Sequence, residues 1–224
     1  MPTSRWVETL SLRGDLLACT PMAADRDADA ELMLRVRRGD REAFEELVNK
    51  YKRPIISFLS RTLGDATEAE DLAQAVFVQV FKSSDRYRVS ARFSTWPYTI
   101  ARNLCLNEIR RRSRHPAESL EAPPTGAEFQ SEKQFRDPRV DPPPDHVLRT
   151  ELEDKIQEAL NLLPENQRLA IVLCREEELS YEEISEILGC SLSATKSLIH
   201  RGRETLKLRL KPYLQTGAWN EPSG

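Results

Sequence analysis

Residues 179–210 read LSYEEISEILGCSLSATKSLIHRGRETLKLRL, and their pattern decides the fold. Ser180 and Glu183 have the S-x-x-E spacing of a capping box, in which each side chain satisfies a backbone N–H at a helix start. Ile184, Ile187 and Leu188 give the short helix that follows a single apolar face. Gly189 suits the left-handed conformation that ends a helix. A second apolar stripe then begins with Leu192, Thr195, Leu198 and Ile199, and Lys196, Ser197, His200, Arg201 and Arg203 fall on the other side. A short helix, a tight turn and a longer helix with an outward cationic face is the helix-turn-helix pattern, which lays its second helix in the DNA major groove. An ordinary helix pair with a solvated basic face has the same periodicity, so the rest of the chain must decide between them.

The chain has 224 residues and a net charge of −3, so its overall charge does not point to nucleic acid. The charge is segregated, however. Residues 86–114 carry eight arginines against Glu108 alone, and residues 191–212 carry six Lys or Arg against Glu204 alone. Between them, residues 175–186 hold six glutamates against one arginine. Two basic patches on an acidic chain make a local electrostatic case for DNA. The four cysteines are scattered and do not cluster with the three histidines, so neither a disulfide framework nor a zinc site is expected, and no cofactor is indicated. No apolar run approaches the roughly 20 residues of a membrane span, so a cytoplasmic protein without membrane insertion is expected.

The pattern predicts an all-α chain. Residues 1–28 look poorly ordered, and Met22 is a candidate translation start. Residues 29–114 are helical. Pro54 should kink or split one helix, and Thr67 with Glu70 offers a second capping-box spacing. The helix it opens carries the stripe Leu72, Ala73, Val76, Phe77, Val80 and Phe81, with Asp71, Gln74 and Gln79 off it. In residues 86–114, Tyr87, Phe93, Trp96 and Tyr98 are interleaved with Arg86, Arg88, Arg92 and Arg102. That mixture suits a single strand, because cations follow the phosphates and aromatic faces replace lost base stacking, at about 1–3 kcal/mol per base. It is equally what a core with a capped helix end would contain. Residues 115–148 are proline-rich and acidic, with too few large apolar side chains for a core, and read as a linker. Residues 149–212 form four further helices, and 213–224 a disordered tail.

The order and wording of DREAFEELVNKY, AEDLAQAVF, FSTWPYTIARN, LPENQRLAI and LSYEEISEILGCSLSATKSLIHRGRE closely resemble the extracytoplasmic-function class of bacterial sigma factors. The resemblance covers about residues 29–212. It implies two small helical domains, sigma region 2 over 29–114 and sigma region 4 over 149–212, joined by the acidic linker. The implied function is to bind core RNA polymerase, direct it to promoters and melt the DNA, without enzymatic activity of its own. Asp71, Gln74 and Phe77 match the segment that docks on the beta-prime coiled coil, and the beta flap is the partner implied for region 4. Tyr87, Arg92, Phe93, Trp96, Arg102 and Asn103 match the part that opens the minus-ten element, with Tyr87 at the flipped-base loop and Asn103 at the first melted base. Lys196, Ser197, His200 and Arg201 match the face that reads the minus-thirty-five element, with Arg203 as a phosphate contact. An anti-sigma factor is the implied regulator.

Four positions depart from the family pattern. Ala75 stands where Glu is usual, Pro97 and Thr99 replace Leu and Arg, and Leu198 replaces a frequent Arg. The last implies one fewer contact to phosphate or base. A conventional repressor or activator with the same helix-turn-helix is the alternative; it would bind an inverted repeat as a dimer. A site-specific recombinase is disfavoured, because no Ser or Tyr with clustered Arg stands out beyond residues 86–114.

Overall fold

The structure is a computed structural model that describes residues 27–89, 91–114, 144–176 and 179–216, with the backbone alone for 144–150 and 216. The expectations for residues 1–26, for most of the linker and for the end of the tail lie outside these. Eight α-helices account for most of the described residues, with no strand among them.

The first bundle contains α1 (Ala28–Arg37), α2 (Arg41–Leu63), α3 (Ala66–Lys82), a single 3-10 turn (Ser84–Arg86) and α4 (Thr95–Arg114). Its centre is the stripe Leu47, Tyr51, Ile55, Phe58 and Leu59 of α2, buried at three- and four-residue spacing. α1, α3 and α4 all pack on α2. Asp27, Asp40 and Asp65 cap α1, α2 and α3, each accepting from the N–H three residues on. Asp65 therefore replaces the Thr67–Glu70 box expected from sequence, and the helix starts one residue before Thr67 because Gly64, at φ +73°, has just turned the chain. α2 runs unbroken through Pro54 rather than splitting, since the buried stripe on both sides holds one axis.

The second bundle contains α5 (Pro144–Asn161), α6 (Glu165–Leu173), α7 (Tyr181–Leu188) and α8 (Leu192–Thr216). α5 starts inside the expected linker, and α8 continues through Pro212 for four residues into the expected tail. Ser180 and Glu183 form the capping box in both directions, and Gly189 ends α7 at φ +66°. Gly202 lets α8 lie directly on α6, because a Cβ there would meet Ile171 Cγ1 at 2.6 Å. The buried apolar side chains of both bundles form one connected cluster. α4 packs against α7, and α2 packs against α5 and α6.

Candidate nucleic-acid interface

The N-terminal half of α8 carries the first surface. Thr195 and Ile199 are buried, which turns Lys196, Ser197, His200, Arg201 and Arg203 outward, all exposed. Leu192, Ser193, Lys196, Ser197 and His200 line a shallow groove of about 530 Å³. Arg203 also donates to Cys174 Sγ at 3.2 Å, which ties it to the end of α6. Leu198 packs against the core instead of standing among the outward residues. The departure at 198 is therefore a packing choice first, and an arginine there would have to leave that contact.

The second surface is built differently. Tyr87, Phe93 and Trp96 form one aromatic cluster. Tyr87 and Trp96 stack at 5.0 Å, and Phe93 meets both edge-on and also meets Tyr51 at 5.4 Å. Phe93 is 2% exposed and Tyr87 6%, while Trp96 is half-buried. Two side chains from α1 and its cap hold this segment. Asp27 accepts from the Phe93 N–H at 2.6 Å, and Arg37 donates to the Tyr87 carbonyl at 3.2 Å. Burial, with the nearby charges of Asp27 and Asp29, pushes the Tyr87 phenol up to about 12. Its hydroxyl is buried and has no hydrogen-bond partner among the described residues. Arg92 and Asn103 are exposed, and Arg102 donates to Asn103 Oδ1 at 3.3 Å.

The arginines at the end of α4 divide by role. Arg112 pairs with Glu68, Asp65 and Glu108 and reaches the Leu63 carbonyl, and Arg111 pairs with Glu108 and Glu68. These two tie α4 to the end of α2 and the start of α3. Arg110 and Arg114 remain exposed, beside Asn107.

On α3, Asp71 and Gln74 are exposed and Phe77 is half-buried. Sequence reasoning missed their neighbours. Val78 is 51% exposed and Phe81 49%, so residues 71, 74, 78 and 81 form one outward stripe at helical spacing. Phe81, expected in the buried stripe, lies on the surface against Phe44 at 5.0 Å. Periodicity alone missed this, because Phe81 is one position from the buried Val80 and extends the same apolar run.

Among the described residues no group of His, Cys, Asp and Glu could hold a metal, and no helix is long and apolar enough to cross a membrane. Cys105 is buried, and burial pushes its thiol up to about 12.

The family models for Sigma-70 region 2 and Sigma-70 region 4 match residues 47–115 and 153–206. The RNA polymerase sigma-H factor of Pseudomonas aeruginosa is 34% identical over 190 residues, covering 85% of this chain and 97% of its own. The ECF RNA polymerase sigma factor SigW of Bacillus subtilis is 37% identical over 179 residues, covering 79% and 94%. The ECF RNA polymerase sigma-E factor of Escherichia coli is 30% identical over 187 residues, covering 84% and 96%. Among solved structures the fold is similar to that of CnrH in complex with the cytosolic domain of CnrY, with a TM-score of 0.60, 24% identity and coverage of 83% and 99%. It is also similar to the sigma factor RpoE bound to the anti-sigma factor NepR of Bartonella quintana, with a TM-score of 0.56, 24% identity and coverage of 75% and 96%. With a region 2 bundle, a region 4 helix-turn-helix and full-length relatives of one kind, the chain belongs to the extracytoplasmic-function class of RNA polymerase sigma factors.

Proposed function

We propose that this sigma factor divides promoter recognition between its two bundles, with residues 29–114 acting on the polymerase and the minus-ten element and residues 149–212 on the minus-thirty-five element. The observation that carries this is the outward face of α8, where five polar or cationic side chains are exposed over a buried Thr195–Ile199 stripe. Lys196 and Arg201 suit the guanine acceptors of the major groove, and Ser197 and His200 add shorter-range hydrogen bonds. Arg203 serves a phosphate.

In the first bundle, Asp71, Gln74 and Phe77 bind the beta-prime coiled coil, and the stripe through Val78 and Phe81 extends that contact. Tyr87 and Trp96 supply the stacking faces for melted bases, with Phe93 as the floor beneath them, while Arg92 and Arg102 face the strand. Because Arg102 occupies Asn103 Oδ1, the amide nitrogen of Asn103 is the end left to donate to a base. Stacking and charge act only once the strands part, so binding favours the open state over the closed duplex. Region 4 also meets the beta flap, and an anti-sigma factor covers the α3 stripe when the protein is held inactive. All of this takes place in the cytoplasm.

Run-off transcription with core polymerase tests the division of labour. Arg201→Ala should weaken selection among minus-thirty-five sequences, by about 1–3 kcal/mol, while leaving initiation on an artificially melted template. Equal loss on both templates would reject the division.

A further inference from the structure

Asp27 makes hydrogen bonds to two distant parts of the chain. Its Oδ1 accepts from the Ala30 N–H at 3.3 Å and caps α1, while its Oδ2 accepts from the Phe93 N–H at 2.6 Å. A bond of that length to a carboxylate is of the stronger, charge-assisted kind. Capping needs only the first oxygen. Asp40 and Asp65 cap α2 and α3 in the same way and turn their second oxygens to Arg35 and Arg112. The second oxygen of Asp27 has a target that capping does not explain, the backbone of the aromatic segment.

The other end of the same helix makes the matching contact. Arg37, the last residue of α1, donates to the Tyr87 carbonyl at 3.2 Å. α1 has 10 residues and is about 15 Å long, so one short rod holds the backbone at Tyr87 and at Phe93. The rod is itself fixed. Asp29 is buried, takes Lys50 Nζ at 2.7 and 2.8 Å and accepts from the Tyr51 hydroxyl at 2.5 Å, and Met33 and Val36 are buried in the bundle. Tyr51 in turn meets the Phe93 ring edge-on at 5.4 Å. Asp27 thus holds the Phe93 backbone, and Asp29 through Tyr51 holds a wall against its ring.

The Tyr87 side chain is held in another way. Its carbonyl has a donor, whereas its buried hydroxyl has no partner among the described residues. The ring is kept by its stack on Trp96 and its edge contact with Phe93. It can leave that place without breaking a hydrogen bond of its own, while the backbone on which it sits cannot shift without breaking one.

We propose, resting on the promoter-reading function above, that Asp27 is a positioning residue for base capture, with Arg37 as its counterpart. Neither touches DNA. They keep the Phe93 and Tyr87 backbone in place while the Tyr87 ring moves to admit a melted base. A segment already held does not have to be ordered when the base arrives, so more of the binding energy favours the parted strands.

Asp27→Asn and Asp27→Ser test this in the full-length protein with core polymerase. An amide or a hydroxyl has one acceptor oxygen where the carboxylate has two, and both residues are good caps, so the cap is kept and the bond to Phe93 is lost. The control, Asp40→Asn, makes the same change at the cap of α2. Opening is followed by 2-aminopurine fluorescence in the minus-ten element of a duplex promoter. Its dependence on the concentration of the polymerase complex separates initial binding from opening. Both Asp27 variants should lower the opening rate about tenfold with initial binding unchanged, and should regain wild-type run-off on a template already melted at the minus-ten element. Arg37→Met should show the same split with a smaller loss, because Arg37 is exposed and its bond is longer. An unchanged opening rate in Asp27→Ser, an equal loss in Asp40→Asn, or a loss that persists on the melted template would each overturn the positioning role. A purely structural role would instead lower the urea midpoint and initial binding together. Wild-type protein that yields no transcript would overturn the promoter-reading function itself, and the positioning role with it, so the two failures are distinguishable.

Discussion

The two regions proposed to face DNA differ in how they are stored. The α8 face is complete as it stands, with its polar side chains in solvent and its register fixed by Gly202 against Ile171. The aromatic–arginine segment is packed away. Phe93 and Tyr87 are buried, and backbone bonds from Asp27 and Arg37 hold them. A duplex presents its base edges without rearrangement, so a rigid preformed face reads it best. A melted base exists only after opening, and exposed aromatic rings waiting for it would be an apolar liability. The buried Tyr87 hydroxyl, without a partner among the described residues, belongs to this storage. An unsatisfied buried hydroxyl costs about 1–3 kcal/mol, which lowers the barrier to moving that ring when bases arrive.

Substitutions can break this contrast, starting with the largest effect. Phe93→Ala should destabilise the fold by about 3–5 kcal/mol, measured by urea unfolding, because the ring is core in the stored state. A loss below about 1 kcal/mol would mean that the cluster is surface. Gly202→Ala should cost about 1–3 kcal/mol by overpacking α8 on α6, and adding Ile171→Ala, which removes the Cγ1 atom that the new methyl meets, should give a double variant whose loss is less than the sum of the two single losses. Arg201→Ala should leave stability within about 0.5 kcal/mol while weakening promoter binding by about 1–3 kcal/mol, measured on the polymerase complex. Tyr87→Phe should be neutral or stabilise by up to about 1 kcal/mol, since it deletes an unpaired hydroxyl, and should leave the α8 face unaffected.

Titration sharpens the same contrast. Burial raises Cys105 from 9.0 and Tyr87 from 10.0, each to about 12. Both groups hold their protons more tightly folded than unfolded, so the stability they contribute is complete below pH 9 and is lost as pH rises from there toward 12. Denaturant midpoints measured across that range should fall in wild type and fall less in Cys105→Ala.

Much of this was legible in the sequence where local chemistry decides structure. The Ser180–Glu183 box, the Gly189 stop and the α8 stripe depend on neighbours within a few residues, and each appears as expected. The first-bundle cap did not, because Asp65 and Thr67 both offer a capping oxygen and only the turn at Gly64 chooses between them. Nor could periodicity show that Phe81 faces solvent, since that depends on which neighbouring helix covers the position. The contact of Glu176 and Glu183 with Arg92, Ser94 and Tyr98 was hidden for the same reason. Opposite charges far apart in sequence indicate complementarity, while only the packing of α4 on α7 brings Glu183 to Arg92.

The most direct test of the central claim is run-off transcription from a promoter library, using core polymerase with this protein as the only initiation factor. Two-part reading predicts defined transcripts that need both promoter elements at one spacing. It also predicts that Trp96→Ala loses them on duplex templates and regains them on templates already melted at the minus-ten element. Duplex binding to an inverted repeat by a dimer, with no initiation from any promoter, would contradict the claim and point to a conventional repressor.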